Sequence, residues 1–144
     1  MQATSDATLL ALDVGEKRIG IARAALSVRI AQPLSTLTND EQFMTALGGI
    51  ISDESVSELI VGYPRGMQGQ STAQTRYIEE FSEKLKAITG LPIHYQDEAV
   101  TSEKAEAELK SRGKTYRKED IDALAATYIL EDYLNEHAAE LQTS

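Results

Sequence analysis

The chain has 144 residues, 42% of them hydrophobic and 26% charged, with a formal net charge of −9 and no cysteine. A chain of this length buries roughly two-thirds of its unfolded surface as one domain, which is the expectation for residues 1–144, and the missing Cys excludes disulfides, thiolate zinc sites and thiol nucleophiles. Its apolar runs are too short to cross a bilayer and residues 1–7 lack the pattern of a signal peptide, so a cytoplasmic protein with no membrane partner is expected.

Residues 8–14 form an unbroken apolar run ending on an acid, Asp13, and read as a strand buried on both faces. A turn with Gly15, Lys17 and Arg18 follows, then strands over Arg18–Leu26 and Val28–Leu37. Links this short leave no room for a helical crossover, so the three strands form an antiparallel meander. Asn39 with Gln42 predicts a capped helix carrying Phe43, Leu47, Ile50 and Ile51 on one stripe, weakened by Gly48 and Gly49. Glu58–Gly62 is a short strand. A Pro- and Gly-containing loop leads to a second helix, with Ser71 and Gln74 as its capping box and Tyr77 or Ile78, Phe81, Leu85 and Ile88 at helical spacing. Gly90 and Pro92 stop it. Pro92–Gln96 predicts a fifth strand, followed by Asp97 and Glu98; Thr101 caps a short helix to about Lys110, and a last helix covers roughly Glu119–Ala138. Strands alternating with helices in this half imply parallel crossovers, giving an α/β fold with a mixed five-stranded sheet.

Three acids stand out against that frame. Asp13 and Glu98 follow apolar strands, and Asp122 shares a stripe of the last helix with Ala126, Ile129 and Tyr133 at spacings of four, seven and eleven. A carboxylate on an inward face is costly unless it is hydrogen-bonded, paired or bound to metal. Asp13 could be satisfied by a local turn, and a helix N-terminus favours acids such as Glu119 and Asp120 through its dipole, an account less apt for Asp122. Ligands in open α/β sheets collect outside the carboxyl ends of the strands, where all three acids could meet. Mutual repulsion would then be relieved by a hard divalent cation, Mg²⁺ or Mn²⁺ for an oxygen-only ligand set. Two such ions roughly 4 Å apart can activate water and stabilise the leaving oxygen of a phosphodiester displacement.

The net charge opposes non-specific nucleic-acid affinity, yet five of the 14 cations fall at Lys110, Arg112, Lys114, Arg117 and Lys118, just before Asp122. The run reads either as a solvated loop or as a holder for a phosphate backbone near the acids. His94 reads as a satisfied strand residue, and His137 as part of a frayed terminal turn.

The chain resembles the YqgF/RuvX proteins, RNase H-like nucleases described as Holliday junction resolvases or pre-16S rRNA nucleases. The resemblance rests on Leu12-Asp13-Val14-Gly15-Glu16-Lys17-Arg18-Ile19-Gly20-Ile21-Ala22, on Val61-Gly62-Tyr63-Pro64 with Met67 and Gly69, on Asp97-Glu98 followed by Thr101, and on Asp122-Ala123-Leu124-Ala125-Ala126 with Ile129-Leu130 and Tyr133-Leu134. It implies an RNase H-like sheet, catalytic metal ligands at Asp13, Glu98 and Asp122, and phosphate contacts at Lys17 and Arg18. The chain departs from the family pattern at Ala24-Ala25, where a Ser-Asp pair is usual, and at Ala99, where Arg is usual. Loss of that Arg weakens substrate binding or transfers its task to Arg65 or the 110–118 run. Tyr63 replaces the usual Leu and is either a ring for base stacking or a buried side chain.

The expected function is a Mg²⁺- or Mn²⁺-dependent endonuclease acting on nucleic acid, foremost on the 5′ end of pre-16S rRNA, with four-way DNA junctions as the alternative substrate. A resolvase would pair two sites in a homodimer, whereas an RNA-trimming enzyme could act as a monomer. Two other classes compete. Asp13-Val14-Gly15 with Gly20 also looks like the phosphate hairpin of actin-like ATPases, which need a second lobe that one domain does not supply. A non-catalytic module contacting ribosome-associated or transcription proteins would suit the acidic balance, but gives no reason to keep all three acids.

Overall fold

The computed structural model describes residues 7–64, 72–98, 101–113 and 116–138, with only the backbone at 98 and 101–103. Strand β1 (Thr8–Val14) turns into β2 (Arg18–Ala25), which is followed by β3 (Gln32–Thr38) and helix α1 (Phe43–Glu54). Then come β4 (Val56–Pro64), α2 (Ala73–Thr89), β5 (Ile93–Glu98), α3 (Thr101–Ser111) and α4 (Lys118–Glu136). The sheet order is β3-β2-β1-β4-β5. The β1–β2 and β2–β3 pairs are antiparallel, and β1–β4 and β4–β5 are parallel. The expected meander and crossovers are both present.

Alternation along the strands divides the core. Leu10, Leu12, Ile19, Ile21, Leu59, Val61 and Tyr63 pack with Phe43 and Leu47 of α1 and Ile78, Phe81 and Leu85 of α2. The opposite parity, Leu9, Ala11, Ala22, Ala24 and Ile60, packs on Ala126, Ile129, Leu130, Tyr133 and Leu134 of α4. Asp13 continues the Leu9–Ala11 series and so belongs to the α4 face, because side chains alternate with period two. The last helix uses the stripe anticipated from Asp122.

Local boundaries differ from the expectations for identifiable reasons. β3 starts four residues after Val28, because Val28 N–H and Arg29 N–H both turn back to the Ala25 carbonyl and Arg29 takes a left-handed φ of 58°. Helix α1 has no side-chain cap; Asn39 Nδ2 instead donates to the Gly15 carbonyl at 2.8 Å and to the Tyr77 hydroxyl at 2.6 Å. The α2 capping box is Thr72 with Thr75, one residue beyond the predicted Ser71–Gln74 pair, and Ser71 itself lies outside the described residues. Ile88, placed on the buried stripe by spacing, is 61% exposed at the end of α2. β5 extends through Asp97 and Glu98, because Tyr63 and Pro64 of the longer β4 continue the pairing. Helix α4 ends at Glu136, and His137 is not frayed: its ring stacks on Tyr133 at 4.2 Å.

Candidate active site

A glycine seats the Asp122 backbone on the strand pair that carries Asp13. Asp13 pairs with Gly20 across the β1–β2 hairpin, and α4 crosses directly over Gly20. A Cβ built on Gly20 would lie 2.0 Å from the Asp122 carbonyl oxygen and 3.0 Å from the Ala123 nitrogen. Only hydrogen fits there. A Gly inside a strand marks close approach of another backbone, and here it lets the start of α4 rest on the strand pair that carries Asp13. Ala125 and Ala126, fully buried one turn on, keep the helix close to the sheet.

Asp122 is a half-buried acid with a named partner. Arg18 Nε donates to Asp122 Oδ2 at 2.6 Å, across 104 residues of sequence. Their side chains are 33% and 18% exposed. That bond and the Asp122 charge raise the Arg18 pKa further above its ordinary value, with a smaller contribution from Glu119. The guanidinium is fixed at its base, since the Arg18 carbonyl accepts from Gly15 N–H at 3.0 Å and Arg18 pairs with Thr38 of β3. Gly15 is needed in that turn because a Cβ would stand 2.8 Å from the Arg18 carbonyl oxygen. Lys17, at the hairpin tip, is exposed, and its carbonyl accepts from Asn39 N–H.

Glu98 is placed by its backbone alone. It pairs with Pro64 at the carboxyl end of β5, in the parity of His94 and Gln96. Those two turn toward α4: the His94 ring lies 5.8 Å from that of Tyr133, and Gln96 Nε2 donates to Glu136 at 3.0 Å. The Glu98 side chain lies outside the described residues, as do Arg65 and Lys114. Among the described residues no group of three His, Cys, Asp or Glu forms a metal cluster. His94 is a strand residue paired with Glu58 at 2.6 Å, as expected.

The basic run divides. Lys110 lies 3.9 Å from Glu106, and Arg112 pairs with Glu108, both on α3, so these two cations are matched by acids of their own helix. Arg117 and Lys118 are exposed at the start of α4. Arg117 also lines a groove with Pro33, Ser35, Thr36 and Asp120, beside the Thr36 hydroxyl, which donates to the Glu119 carbonyl at 2.7 Å. Tyr63 is 2% exposed, pairs with the Tyr95 ring at 4.9 Å and donates to Glu79 at 2.8 Å, which excludes it as a platform for base stacking. Sequence reasoning cast Asn39 as a helix cap and gave Gly20 no packing role, whereas the structure ties Asn39 to Gly15 and Tyr77 and puts α4 on Gly20. A glycine within an otherwise apolar strand was the available signal for Gly20; Asn39 offered none, since its partners are distant in sequence.

The family model described as RuvX, Holliday junction resolvase, matches residues 7–136. A relative from Rickettsia typhi is 40% identical over 131 residues, covering 88% of this chain and 84% of its own. Relatives from Chloroflexus aggregans and Crocosphaera subtropica are 36% and 38% identical, covering 91% and 92% of this chain and 95% of their own. All three bear the name "Putative pre-16S rRNA nuclease". Among solved structures, Thermus thermophilus RuvC in complex with a Holliday junction substrate superposes with a TM-score of 0.53 at 13% identity, over 90% of this chain and 95% of that one. RuvC has the RNase H-like fold, and this sheet shares it. The chain belongs to the RuvX family.

Proposed function

We propose that this protein is an endonuclease that hydrolyses nucleic-acid phosphodiester bonds with Mg²⁺ or Mn²⁺, and that its substrate is the 5′ region of pre-16S rRNA. The observation that carries the reading is the seating of Asp122 over Gly20, which brings an otherwise costly inward carboxylate to the strand pair bearing Asp13. Family membership and the name shared by relatives at 36–40% identity support the nuclease reading and its RNA substrate.

The donor set fits a hard divalent cation. Asp13 and Asp122 offer carboxylate oxygens, with Glu98 as the third ligand of the proposal, and neither of the chain's two histidines is required. When bound, the ion supplies Lewis-acid stabilisation of the phosphoryl oxygens and a nucleophile at neutral pH. The protein's own groups do the rest. Lys17 and Arg18 would hold the backbone on the hairpin side, and Arg117 and Lys118 on the α4 side, with Arg65 and Lys114 as further candidates for phosphate contact, while Arg112 is held by Glu108. No helix among the described residues is long and apolar enough to cross a membrane.

The test compares wild type with Asp13→Asn and Asp122→Asn on a pre-16S RNA fragment and on a synthetic four-way DNA junction, each with and without Mg²⁺ or Mn²⁺. RNA cleavage that needs the metal and falls by on the order of 10³-fold or more in both variants, with unchanged circular dichroism, is the expected result. Cutting of the junction alone would transfer the proposal to the resolvase substrate, and an active Asp122→Asn variant would remove the mechanism.

A further inference from the structure

The Arg18–Asp122 pair joins a proposed phosphate-binding cation to a proposed metal ligand. Both backbones are fixed: Arg18 by the Gly15 turn and its β3 pairing, Asp122 by contact with Gly20. What can move is the long Arg18 stem and its guanidinium head. Nε of that head bonds Asp122 Oδ2, and an oxygen holding a guanidinium at 2.6 Å cannot offer the same lone pair to a cation. The adjacent positive charge also opposes a second one. A guanidinium has five donors in a planar fork suited to phosphate, and this one is a third exposed, so an arriving phosphate can reach it.

We propose that Arg18 guards the Asp122 carboxylate against divalent cations until a substrate phosphate draws its guanidinium away. Metal and nucleic acid then bind with positive cooperativity, and by linkage each strengthens the other equally. Arg18 thus acts twice, on the Asp122 carboxylate before substrate arrives and on the substrate phosphate afterwards. The inference rests on the metal-dependent reading above, but its test does not use catalysis.

Mn²⁺ is titrated by calorimetry into wild type, Arg18→Met, Arg18→Lys and Asp122→Asn in the absence of nucleic acid. Removing the neighbouring charge should tighten Mn²⁺ binding about tenfold in Arg18→Met, equivalent to about 1.4 kcal/mol, while Arg18→Lys, which keeps the charge, stays within about threefold of wild type. Adding a phosphorothioate oligoribonucleotide should tighten Mn²⁺ binding to wild type and leave Arg18→Met unchanged. Equal or weaker Mn²⁺ binding by a folded Arg18→Met protein overturns the guard and leaves the metal reading intact; absence of Mn²⁺ binding from both wild type and Arg18→Met overturns both. Should Arg18→Met fail to fold, Arg18→Gln carries the same comparison.

Discussion

Gly20 carries no side chain, and that absence is what lets the start of α4 rest on β2 beside Asp13, as the proposed site requires. The 2.0 Å between its would-be Cβ and the Asp122 carbonyl is far inside any contact distance, so Gly20→Ala must lift the first turns of α4 off β2. Overpacking of this kind costs about 1–3 kcal/mol, and a backbone neighbour, unlike the tip of a flexible side chain, has little room to yield. The substitution should lower the urea midpoint and also cut nuclease activity beyond what the lost stability explains, since it moves Asp122 relative to Asp13. Measured under conditions where the variant stays fully folded, wild-type activity would show that the close approach serves packing alone. Gly48 and Gly49 make the contrast: a Cβ at either meets nothing within 4 Å, and alanine there should stabilise α1 by about 1 kcal/mol each.

Helices α3 and α4 are joined by a polar node over a small apolar patch. Ala105, Leu124 and Tyr128 form the patch, while the Tyr128 hydroxyl donates to Glu108, which also pairs with Arg112. The Tyr128 bond holds the Glu108 carboxyl below the ordinary carboxylate range, against partial burial and with help from Arg112. A group whose folded pKa is depressed contributes stability above its unfolded pKa, about 4.3, and loses it as pH falls through the folded value. Tyr128→Phe keeps the ring beneath Lys104, which lies 4.4 Å from its centroid, but removes the donor. It should therefore cost about 1 kcal/mol at pH 7, with the difference from wild type closing as pH falls below about 4. Glu131, pushed up by burial, contributes the opposite slope to both proteins and largely cancels. Urea midpoints at pH 7 and pH 3 check this; a gap of constant size would mean that Glu108 is not the group coupled to Tyr128.

Elements of this kind also show what a sequence can carry. The meander, the crossovers and the inward stripe of α4 were legible because apolar periodicity reports which face is buried, whatever buries it. Ends were less legible because they depend on partners. β5 runs on through Glu98 only because Tyr63 and Pro64 continue the neighbouring strand. The cap of α2 was ambiguous locally, since Ser71–Gln74 and Thr72–Thr75 offer the same spacing one residue apart. Asp13 and Asp122 were singled out from the cost of inward charge, but the seating of the Asp122 backbone on Gly20 and its pairing with Arg18 are tertiary facts with no local signature.

At the scale of the whole molecule, a net charge of −9 must coexist with binding to a polyanion. Arrangement, not quantity, resolves this. On α3, Lys110 and Arg112 are matched by Glu106 and Glu108, so much of the basic run is neutralised within its own helix. Among the described residues, Lys17 is exposed on the hairpin that carries Asp13 and Arg117 and Lys118 are exposed at the start of the helix that carries Asp122, with Arg18 a third exposed. Each phosphate neutralised by a protein cation releases counterions, steepening the fall of affinity with salt by about 0.7 log units per contact on single strands and 0.9 on duplex. Arg117→Ala combined with Lys118→Ala should therefore weaken binding at low salt and flatten the log–log salt slope by about one to two units. Arg112→Ala should leave the slope unchanged and register instead as a small loss of stability, because its charge is already spent on Glu108. Fluorescence anisotropy across a salt series reads both. Were the Arg112 variant the one to flatten the slope, the phosphate path would run along α3, and the α4 start would carry the acids without guiding the backbone to them.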